Sequence, residues 1–258
     1  MKTWGPDQRR IKLSPLSDIH IGNPQFRQDV LDSFLSDVLA DPDWYLVGNG
    51  DYIENVTRSS VGEVWTQTMT PREQVKHVAK ILEPVRSRLL IITDGNHDNP
   101  RTEKDTSFRP SELLCDKLGL PEECYQPEGA TLVLRFGHVA KENRNTPVVY
   151  TGYVNHGRTG GRLPGAKIIA VDRIARTVEG CDFVIMGHVH DLMSRKITVL
   201  SLDIHRGYRM IERTQAQVVA GSFLSFGGYA QVYGYQPGAI GMPSLTLDGT
   251  RKYLSITM

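Results

Sequence analysis

The sequence has little cysteine and lacks the paired cysteines that commonly bind zinc. Its three cysteines, Cys115, Cys124 and Cys181, are an odd number, and no two of them form a Cys-x-x-Cys motif. This usage favours reduced thiols in a cytosolic protein. It also argues against a structural zinc site built on thiolates.

Long apolar segments and an excess of one charge are missing as well. No run approaches the ~18 apolar residues that a membrane-spanning helix needs, and the first ten residues have no apolar core of a signal peptide. The formal net charge of +1 over 258 residues points to neither nucleic acid nor membrane. We therefore expect a cytoplasmic protein with no membrane partner; the sequence gives no indication of its oligomeric state.

The sequence does contain polar motifs placed directly after short apolar runs. The clearest is Gly95-Asn96-His97-Asp98, which follows the apolar segment 88–94. Three further runs, residues 12–17, 44–47 and 182–186, lead into Asp18-Ile19-His20, Gly48-Asn49-Gly50-Asp51 and Gly187-His188-Val189-His190. Short apolar runs of this kind predict buried strands. Because ligands bind at the carboxyl ends of strands in open α/β sheets, we expect these side chains to share one site.

Between the motifs, hydrophobic spacing predicts helices that alternate with strands, as in a parallel α/β sheet. We expect helices over residues 26–40, 71–85, 111–118 and 166–178, and two further strands, paired antiparallel, over residues 131–136 and 148–154. Residues 1–10, 55–70 and 99–110 are expected to be loops, and residues 195–258 mostly strands. The chain shows no linker and no internal repeat, so we expect one domain over residues 1–258.

The residue types at the strand ends suit two divalent metal ions. Two-metal sites, with ions ~3.5–4 Å apart, need a bridging carboxylate and several neutral nitrogen and oxygen ligands. No cysteine is among the candidate ligands, which favours manganese, with iron, zinc or nickel as alternatives. Each residue alone has a more ordinary explanation, such as a turn or a cap. The joint pattern, with every group just after a predicted strand, favours the metal site.

In chain order, five blocks resemble the signature of the calcineurin-like metallophosphoesterase superfamily. They are Asp18-Ile19-His20, Gly50-Asp51, Gly95-Asn96-His97-Asp98, His156 and Gly187-His188-Val189-His190. The resemblance spans residues 18–190 and implies a four-layer α/β/β/α sandwich of two mixed sheets flanked by helices. Residues 195–258 would then complete the second sheet.

The resemblance also implies a role for each site residue. One metal would be held by Asp18, His20 and His190, the other by Asn96, His156 and His188, and Asp51 would bridge both. A metal-activated water would attack phosphorus, and His97 would protonate the departing oxygen, a contribution of ~10²–10⁴-fold. A carboxylate should orient His97; Glu54 and Asp98 are the two candidates, and Glu54 is preferred for its position three residues after Asp51.

One departure from the family bears on the substrate. Protein Ser/Thr phosphatases read Gly-Asp-x-x-Asp-Arg-Gly at the second block, whereas this chain reads Gly50-Asp51-Tyr52-Ile53-Glu54-Asn55. The phosphate-clamping arginine is missing, which argues against a phosphoprotein phosphatase.

Positive charge is concentrated instead between residues 135 and 176, where eight lysines and arginines face two acids. Arg158, Arg162 and Lys167, which follow His156, are the candidate substrate-binding residues of this segment. The excess is typical either of a solvated face or of a surface that binds the phosphates of a polyanion. Tyr229, Tyr233 and Tyr235 could stack on bases or simply be core or surface tyrosines.

We therefore expect a metal-dependent phosphodiesterase acting on a phosphate ester, with nucleic acid among the candidate substrates and a nuclease among the candidate activities. The first alternative is a phosphomonoesterase that acts on a small metabolite or nucleotide. The second is a non-catalytic scaffold, against which the complete ligand set and His97 argue.

Overall fold

The computed structural model of the chain describes residues 1–5, 7–58, 60, 64–137, 147–158, 161, 163–203 and 207–258, without the side chains of Asp105 and Tyr229. Its strands are β1 (Lys2–Trp4), β2 (Arg10–Leu16), β3 (Trp44–Asn49), β4 (Leu89–Thr93), β5 (Ala130–Phe136), β6 (Val148–Asn155), β7 (Phe183–Met186), β8 (Met193–Asp203), β9 (Arg209–Val219), β10 (Ser244–Asp248) and β11 (Leu254–Thr257). Its α-helices are α1 (Gln28–Ala40), α2 (Pro71–Leu82), α3 (Asn99–Thr106), α4 (Pro110–Leu118), α5 (Pro164–Thr177) and α6 (Gly228–Val232). Short 3₁₀ helices cover Val64–Thr66, Glu83–Arg88 and Glu122–Cys124.

The strands form two mixed sheets. The five-stranded sheet has the order β11-β10-β2-β3-β4, and the six-stranded sheet has the order β1-β5-β6-β7-β9-β8. Strands β2, β3 and β4 run parallel to one another, and so do β6, β7 and β9. The carboxyl ends of each parallel set therefore lie at one edge of their sheet.

The two sheets pack face to face between layers of helices. Within β3, Leu46 faces the cluster formed with α1, α2 and α4, while the next residue, Val47, faces the cluster between the sheets. Ile92 and Ile91 of β4 divide in the same way. Strands buried on both faces explain the continuous apolar runs in the sequence. Helix α5 covers the outer face of the six-stranded sheet, and the expected α/β/β/α sandwich is confirmed.

Helix α2 shows how local sequence signals fix an element. Thr70 precedes it, and its hydroxyl accepts the amide proton of Glu73, whose carboxylate in turn accepts the amide proton of Thr70. Pro71 occupies the first turn, where its missing N–H costs nothing. Val75 and Val78 then lie on the buried face at helical spacing. This capping box and apolar stripe together define where the helix begins and which side it buries.

Three expectations about the elements were wrong. Residues 1–10 contain β1, which pairs in parallel with β5 and places the ring of Trp4 against Phe136. Residues 99–110 contain all of α3, a polar helix that begins with Asn99-Pro100 and has no apolar periodicity to reveal it. The C-terminal strands do not all complete one sheet: β8 and β9 join the six-stranded sheet, whereas β10 and β11 join the five-stranded one. Such long-range pairing leaves no local signal.

The remaining predicted helices and strands are present within a few residues of their predicted bounds, and β5 and β6 do pair antiparallel. Among the described residues, no helix is both long enough and apolar enough to cross a lipid bilayer.

A buried tyrosine connects the two sheets. Tyr150 of β6 places its hydroxyl 2.7 Å from the carbonyl oxygens of Asp248 and Tyr253, and it accepts the amide proton of Tyr253 at 2.9 Å. Because Tyr150→Phe would remove these hydrogen bonds and leave the amide of Tyr253 without this partner, we expect it to lower the free energy of unfolding by about 1–3 kcal/mol. Urea denaturation measures the change. Tyr253→Phe is the control, since that ring is half-exposed and should cost less than about 0.5 kcal/mol.

Candidate metal centre

The predicted site residues come together where the carboxyl ends of the two parallel sets meet. The five-stranded sheet contributes the residues after β2, β3 and β4, and the six-stranded sheet those after β6 and β7. The side chains collected there are Asp18, His20, Asp51, Asn96, His97, His156, His188 and His190. The ligand-type atoms, with those of Glu54, form three groups, and within each group they lie within 4.8 Å of one another. The groups are Asp18, His20 and His190; Asp51, His156 and His188; and His20, Glu54 and His97.

The backbone at these junctions is strained. Asp18, His20, Asp51, His188 and His190 have φ between 48° and 71°, in the left-handed region that non-glycine residues rarely adopt. Each such residue costs of order 1–3 kcal/mol and persists only where the surroundings hold it in place. Strain of this kind clusters at functional sites, and here it aims the side chains at a common point.

The first group is built around Asp18, whose side chain is fully buried. Its Oδ1 lies 3.0 Å from Nε2 of His190, and the Nε2 atoms of His190 and His20 are 3.1 Å apart. The amide of His188 donates to both carboxylate oxygens, at 3.1 Å to Oδ1 and 3.0 Å to Oδ2, and the hydroxyl of Ser17 donates to Oδ2 at 2.5 Å. These donors fix the carboxylate, with Oδ1 beside the two imidazoles.

The second group is built around Asp51, also buried. Its Oδ2 lies 3.2 Å from Nε2 of His156 and 3.6 Å from Nε2 of His20, while Oδ1 accepts the amide proton of His97 at 2.8 Å. His188 completes this group. Asp51 thus lies between the two clusters, the position that a bridging carboxylate requires.

The carboxylates in and beside the Asp51 group favour positive charge at this position. Burial raises the pKa of Asp51, but the positive charge of nearby histidines, His156 first, outweighs it and holds that pKa well below its usual value. Burial lowers the pKa of His156, but the charges of Asp51 and Asp18 outweigh it and raise that pKa to about 10. The buried carboxylates therefore favour a cation at the position of the His156 ring.

Two orphaned polar atoms show that the residues fit metal ions. Nδ1 of His156 donates to the carbonyl of Asn49 at 2.6 Å, which in the neutral ring leaves the Nε2 lone pair facing the carboxylate of Asp51. Nε2 of His156 and Oδ1 of Asn96 are both buried and have no hydrogen-bond partner within the part of the chain that the structure describes. A lone pair facing a carboxylate, with an amide oxygen in the same cleft, is a suitable donor set for a divalent cation.

His97 lies beside these groups, with Nε2 4.0 Å from Oδ2 of Asp51. The main-chain carbonyl of Glu54, not its carboxylate, contacts Nδ1 of His97 at 2.9 Å. The Glu54 carboxylate is 3.9 Å from that atom and 3.1 Å from Nδ1 of His20, and it accepts a hydrogen bond from Asn23. Glu54 thus contacts His97 through its backbone and faces His20 with its side chain.

Asp98, the other expected partner of His97, has a different set of contacts. Its buried carboxylate accepts amide protons from Asp51, Tyr52 and Gly95 at 2.7, 3.2 and 2.8 Å. Burial and the negative charges of Asp51 and Asp94 raise the pKa of Asp98 to about 7. The side chain ties the loop after β3 to the loop after β4, which places Asp51 and Asn96 relative to each other.

The candidate substrate-binding residues differ from one another. Arg158 is exposed just after His156, and Arg162 lies outside the described residues. Lys167 is buried and pairs with Asp191 at 3.1 Å. Sequence reasoning missed Arg101, whose guanidinium lines the cleft beside His97. The Asn99-Pro100 start of α3 was the available signal, because proline favours the first turn of a helix.

A cleft of about 370 Å³ is lined by His20, Asp51, Asn96, His97, His188 and His190. The segment after β9 adds Phe226, Tyr235 and Gln236 to its lining, and Asn23 and Gln25 line it as well. Of the three tyrosines proposed for stacking, Tyr235 lines this cleft, Tyr233 is partly exposed, and the Tyr229 side chain is outside the description. A volume of this size is typical of small-molecule sites.

Comparison with known families agrees with this geometry. The model of the calcineurin-like phosphoesterase family matches residues 16–192, more than half of the chain. The chain belongs to this family. It is therefore a metallophosphoesterase, a hydrolase of phosphoric esters, from a family that depends on two metal ions.

Several solved structures are similar to the chain at low sequence identity. GAP50, described as the anchor in the inner membrane complex of Plasmodium, is 8% identical, with a TM-score of 0.50 over 93% of this chain and 82% of that one. The calcineurin-like phosphoesterase YfkN from Bacillus subtilis is 10% identical, with a TM-score of 0.42 over 96% and 90%. A metallophosphoesterase from Sphaerobacter thermophilus is 13% identical, with a TM-score of 0.39 over 96% and 89%. No curated protein matches the sequence.

The position where protein phosphatases carry a clamping arginine has a structural role in this phosphoesterase. Asn55 is fully buried, and its amide nitrogen donates to the carbonyls of His97 and Asp98 at 2.7 and 3.3 Å. Its side chain is directed into the protein and supports the loop that carries His97.

The position of Asp51 between the two groups gives a prediction about metal content. Asp51→Asn should remove most activity and lower the occupancy of both metal positions, because the shared carboxylate loses its charge while its shape is kept. Elemental analysis of the purified variant measures the stoichiometry. Asp41→Asn, which alters a carboxylate paired with Lys12 at the end of α1, is the matched control and should leave it unchanged. Two metal ions per chain in an active Asp51→Asn variant would contradict the assignment.

Proposed function

We propose that this phosphoesterase hydrolyses phosphodiesters, with His97 as the general acid. The observation that carries the choice of a diester is the low number of unpaired cations at the cleft. Among the described residues that line it, Arg101 is the one guanidinium or ammonium group without a carboxylate partner, since Lys167 pairs with Asp191. A diester phosphate carries one negative charge, whereas a monoester approaches two at neutral pH. One arginine beside a dimetal site matches the smaller charge.

The lining of the cleft supports the same proposal. His97 and Arg101 line it from the region after β4, and Phe226 and Tyr235 line it from the segment after β9. A diester has two substituents on phosphorus, and a cleft of about 370 Å³ has room for both. The aromatic and amide side chains of the segment after β9 suit a substituent with an aromatic ring, such as a base.

The metal ions would be held by Asp18, His20 and His190 on one side and Asn96, His156 and His188 on the other, with Asp51 between them. When bound, two divalent cations lower the pKa of a water molecule and neutralise charge on the phosphate oxygens. We expect manganese, because the donors are oxygen and nitrogen without thiolate, and iron, zinc and nickel are the alternatives to test.

His97 would donate its proton from Nε2. Nδ1 lies 2.9 Å from both the Glu54 carbonyl and Nη1 of Arg101, and these contacts orient the ring with Nε2 toward the cleft. Burial, only partly offset by Asp51, lowers the pKa of His97 to about 3, so the ring is neutral before substrate binds. An anionic ester bound beside Nε2 favours the imidazolium form, which is the form that can protonate a departing alkoxide.

The general-acid role predicts a dependence on the leaving group. His97→Ala should keep both metal ions yet slow esters with poor leaving groups far more than nitrophenyl esters, because a good leaving group departs without a proton. Turnover of an alkyl and a nitrophenyl diester, with metal analysis of the same preparation, measures this. Equal losses on both substrates would mean that His97 positions phosphate or metal instead.

The choice of a diester is tested by turnover of bis(4-nitrophenyl) phosphate and 4-nitrophenyl phosphate at equal concentration with Mn²⁺. We expect the diester to have the higher kcat/KM, and faster turnover of the monoester would replace this proposal with a phosphomonoesterase. A single-stranded oligonucleotide is the third substrate, since exposed Arg158 could contact a flanking phosphate. If it does, Arg158→Ala should reduce the slope of log K against log salt by ~0.7.

A further inference from the structure

Arg101 is fixed beside the cleft by its own hydrogen bonds. It lies in the first turn of α3, four residues after His97. Its Nη1 donates to the carbonyl of Glu54 at 2.9 Å and is also 2.9 Å from Nδ1 of His97. The side chain is half-buried, and the guanidinium lines the same cleft as His20, Asp51 and Asn96. Its place is therefore set before any substrate binds.

The other guanidinium nitrogens of Arg101, Nη2 and Nε, bind no group among the described residues. Over the residues that the structure describes, Arg101 forms no ion pair, and its hydrogen bonds go through Nη1. The N–H groups on Nη2 and Nε are therefore available to donate to a ligand. Burial lowers the pKa of Arg101, which shows that its charge is only partly compensated. A desolvated cation with free donors favours an anion.

Two other arginines of the structure are paired with carboxylates. Arg109, which precedes the next helix, contacts Glu103 and Glu112 at 3.3 and 3.0 Å. Arg195 of β8 pairs with Asp172 of α5. The difference lies in position: Arg101 faces the cleft, where a bound anion would take the place of the carboxylate.

We propose that Arg101 binds a non-bridging oxygen of the substrate phosphate through Nη2 and Nε. From α3 it would thus provide the phosphate contact that protein phosphatases make with an arginine at the position of Asn55. The inference deepens the proposed function and rests on it. A guanidinium matches the oxygens of a phosphate with two parallel hydrogen bonds, which a lysine ammonium cannot reproduce. Anchoring through Nη1 lowers the ordering cost of that contact.

The test compares Arg101→Gln and Arg101→Lys with the matched control Arg109→Gln. Calorimetric titration of the Mn²⁺-loaded proteins with inorganic phosphate gives a Kd that needs no turnover. We expect Arg101→Gln to weaken phosphate binding roughly 10- to 100-fold, Arg101→Lys to recover part of the loss, and Arg109→Gln to bind like the wild type. Metal content should be the same in all four proteins.

The leaving group separates this role from one exerted through His97. If Arg101 holds a non-bridging oxygen, Arg101→Gln should slow alkyl and nitrophenyl diesters by the same factor. A penalty confined to the alkyl diester would overturn the inference, because Arg101 would then act by orienting His97. An unchanged Kd for phosphate would also overturn it, as would loss of metal from both Arg101 variants.

The two proposals can fail separately. If the wild type hydrolyses monoesters faster than diesters while Arg101→Gln still loses phosphate affinity, the diester proposal is wrong and the role of Arg101 stands. If the wild type prefers diesters and Arg101→Gln binds phosphate normally, the role of Arg101 is wrong and the diester proposal stands.

Discussion

The burial of two carboxylates, Asp18 and Asp51, is the constraint on which the rest of the site depends. Both are almost inaccessible to solvent, and burial disfavours a charged carboxylate unless nearby groups stabilise it. Part of the stabilisation comes from the main chain, through the amide of His188 at Asp18 and the amide of His97 at Asp51. The remainder must be positive charge, and the histidine nitrogens that surround the carboxylates are placed to share a cation with them.

Holding those carboxylates has a conformational cost that the fold must offset. The left-handed backbone of Asp51 is kept in place by the Asp98 carboxylate, which accepts the amides of Asp51, Tyr52 and Gly95 at one point. Asn55 adds bonds from the same loop to the carbonyls after β4. Asp98 and Asn55, which do not line the cleft, thus determine the geometry of residues that do, which is how strained positions persist at functional sites.

The ligand-type residues could be predicted from the sequence because each follows a strand whose apolar run is visible locally. Asp51 after β3 and Asn96 after β4 are examples, and parallel strands bring such residues to one edge. Arg101 could not be found this way, because α3 is polar throughout and gives no periodic signal. The contact from Glu54 to His97 could not be predicted either. The sequence indicates a carboxylate, whereas the atom in contact is a main-chain oxygen, whose direction depends on tertiary structure. The division of the C-terminal strands between two sheets is hidden for the same reason.

The glycines of the motifs show why the blocks carry information together. A Cβ on Gly95 would collide with the carboxylate of Asp51, and a Cβ on Gly50, whose φ is +81°, would collide with the backbone of Gly95. A Cβ on Gly187 would meet the side chains of Ser17 and Asp18. Gly95 and Gly187 therefore make room for carboxylates that follow other strands, and Gly50 makes room for the loop after β4. A block has its conformation only when the others are in place, so the metal-binding arrangement depends on the two sheets being correctly packed.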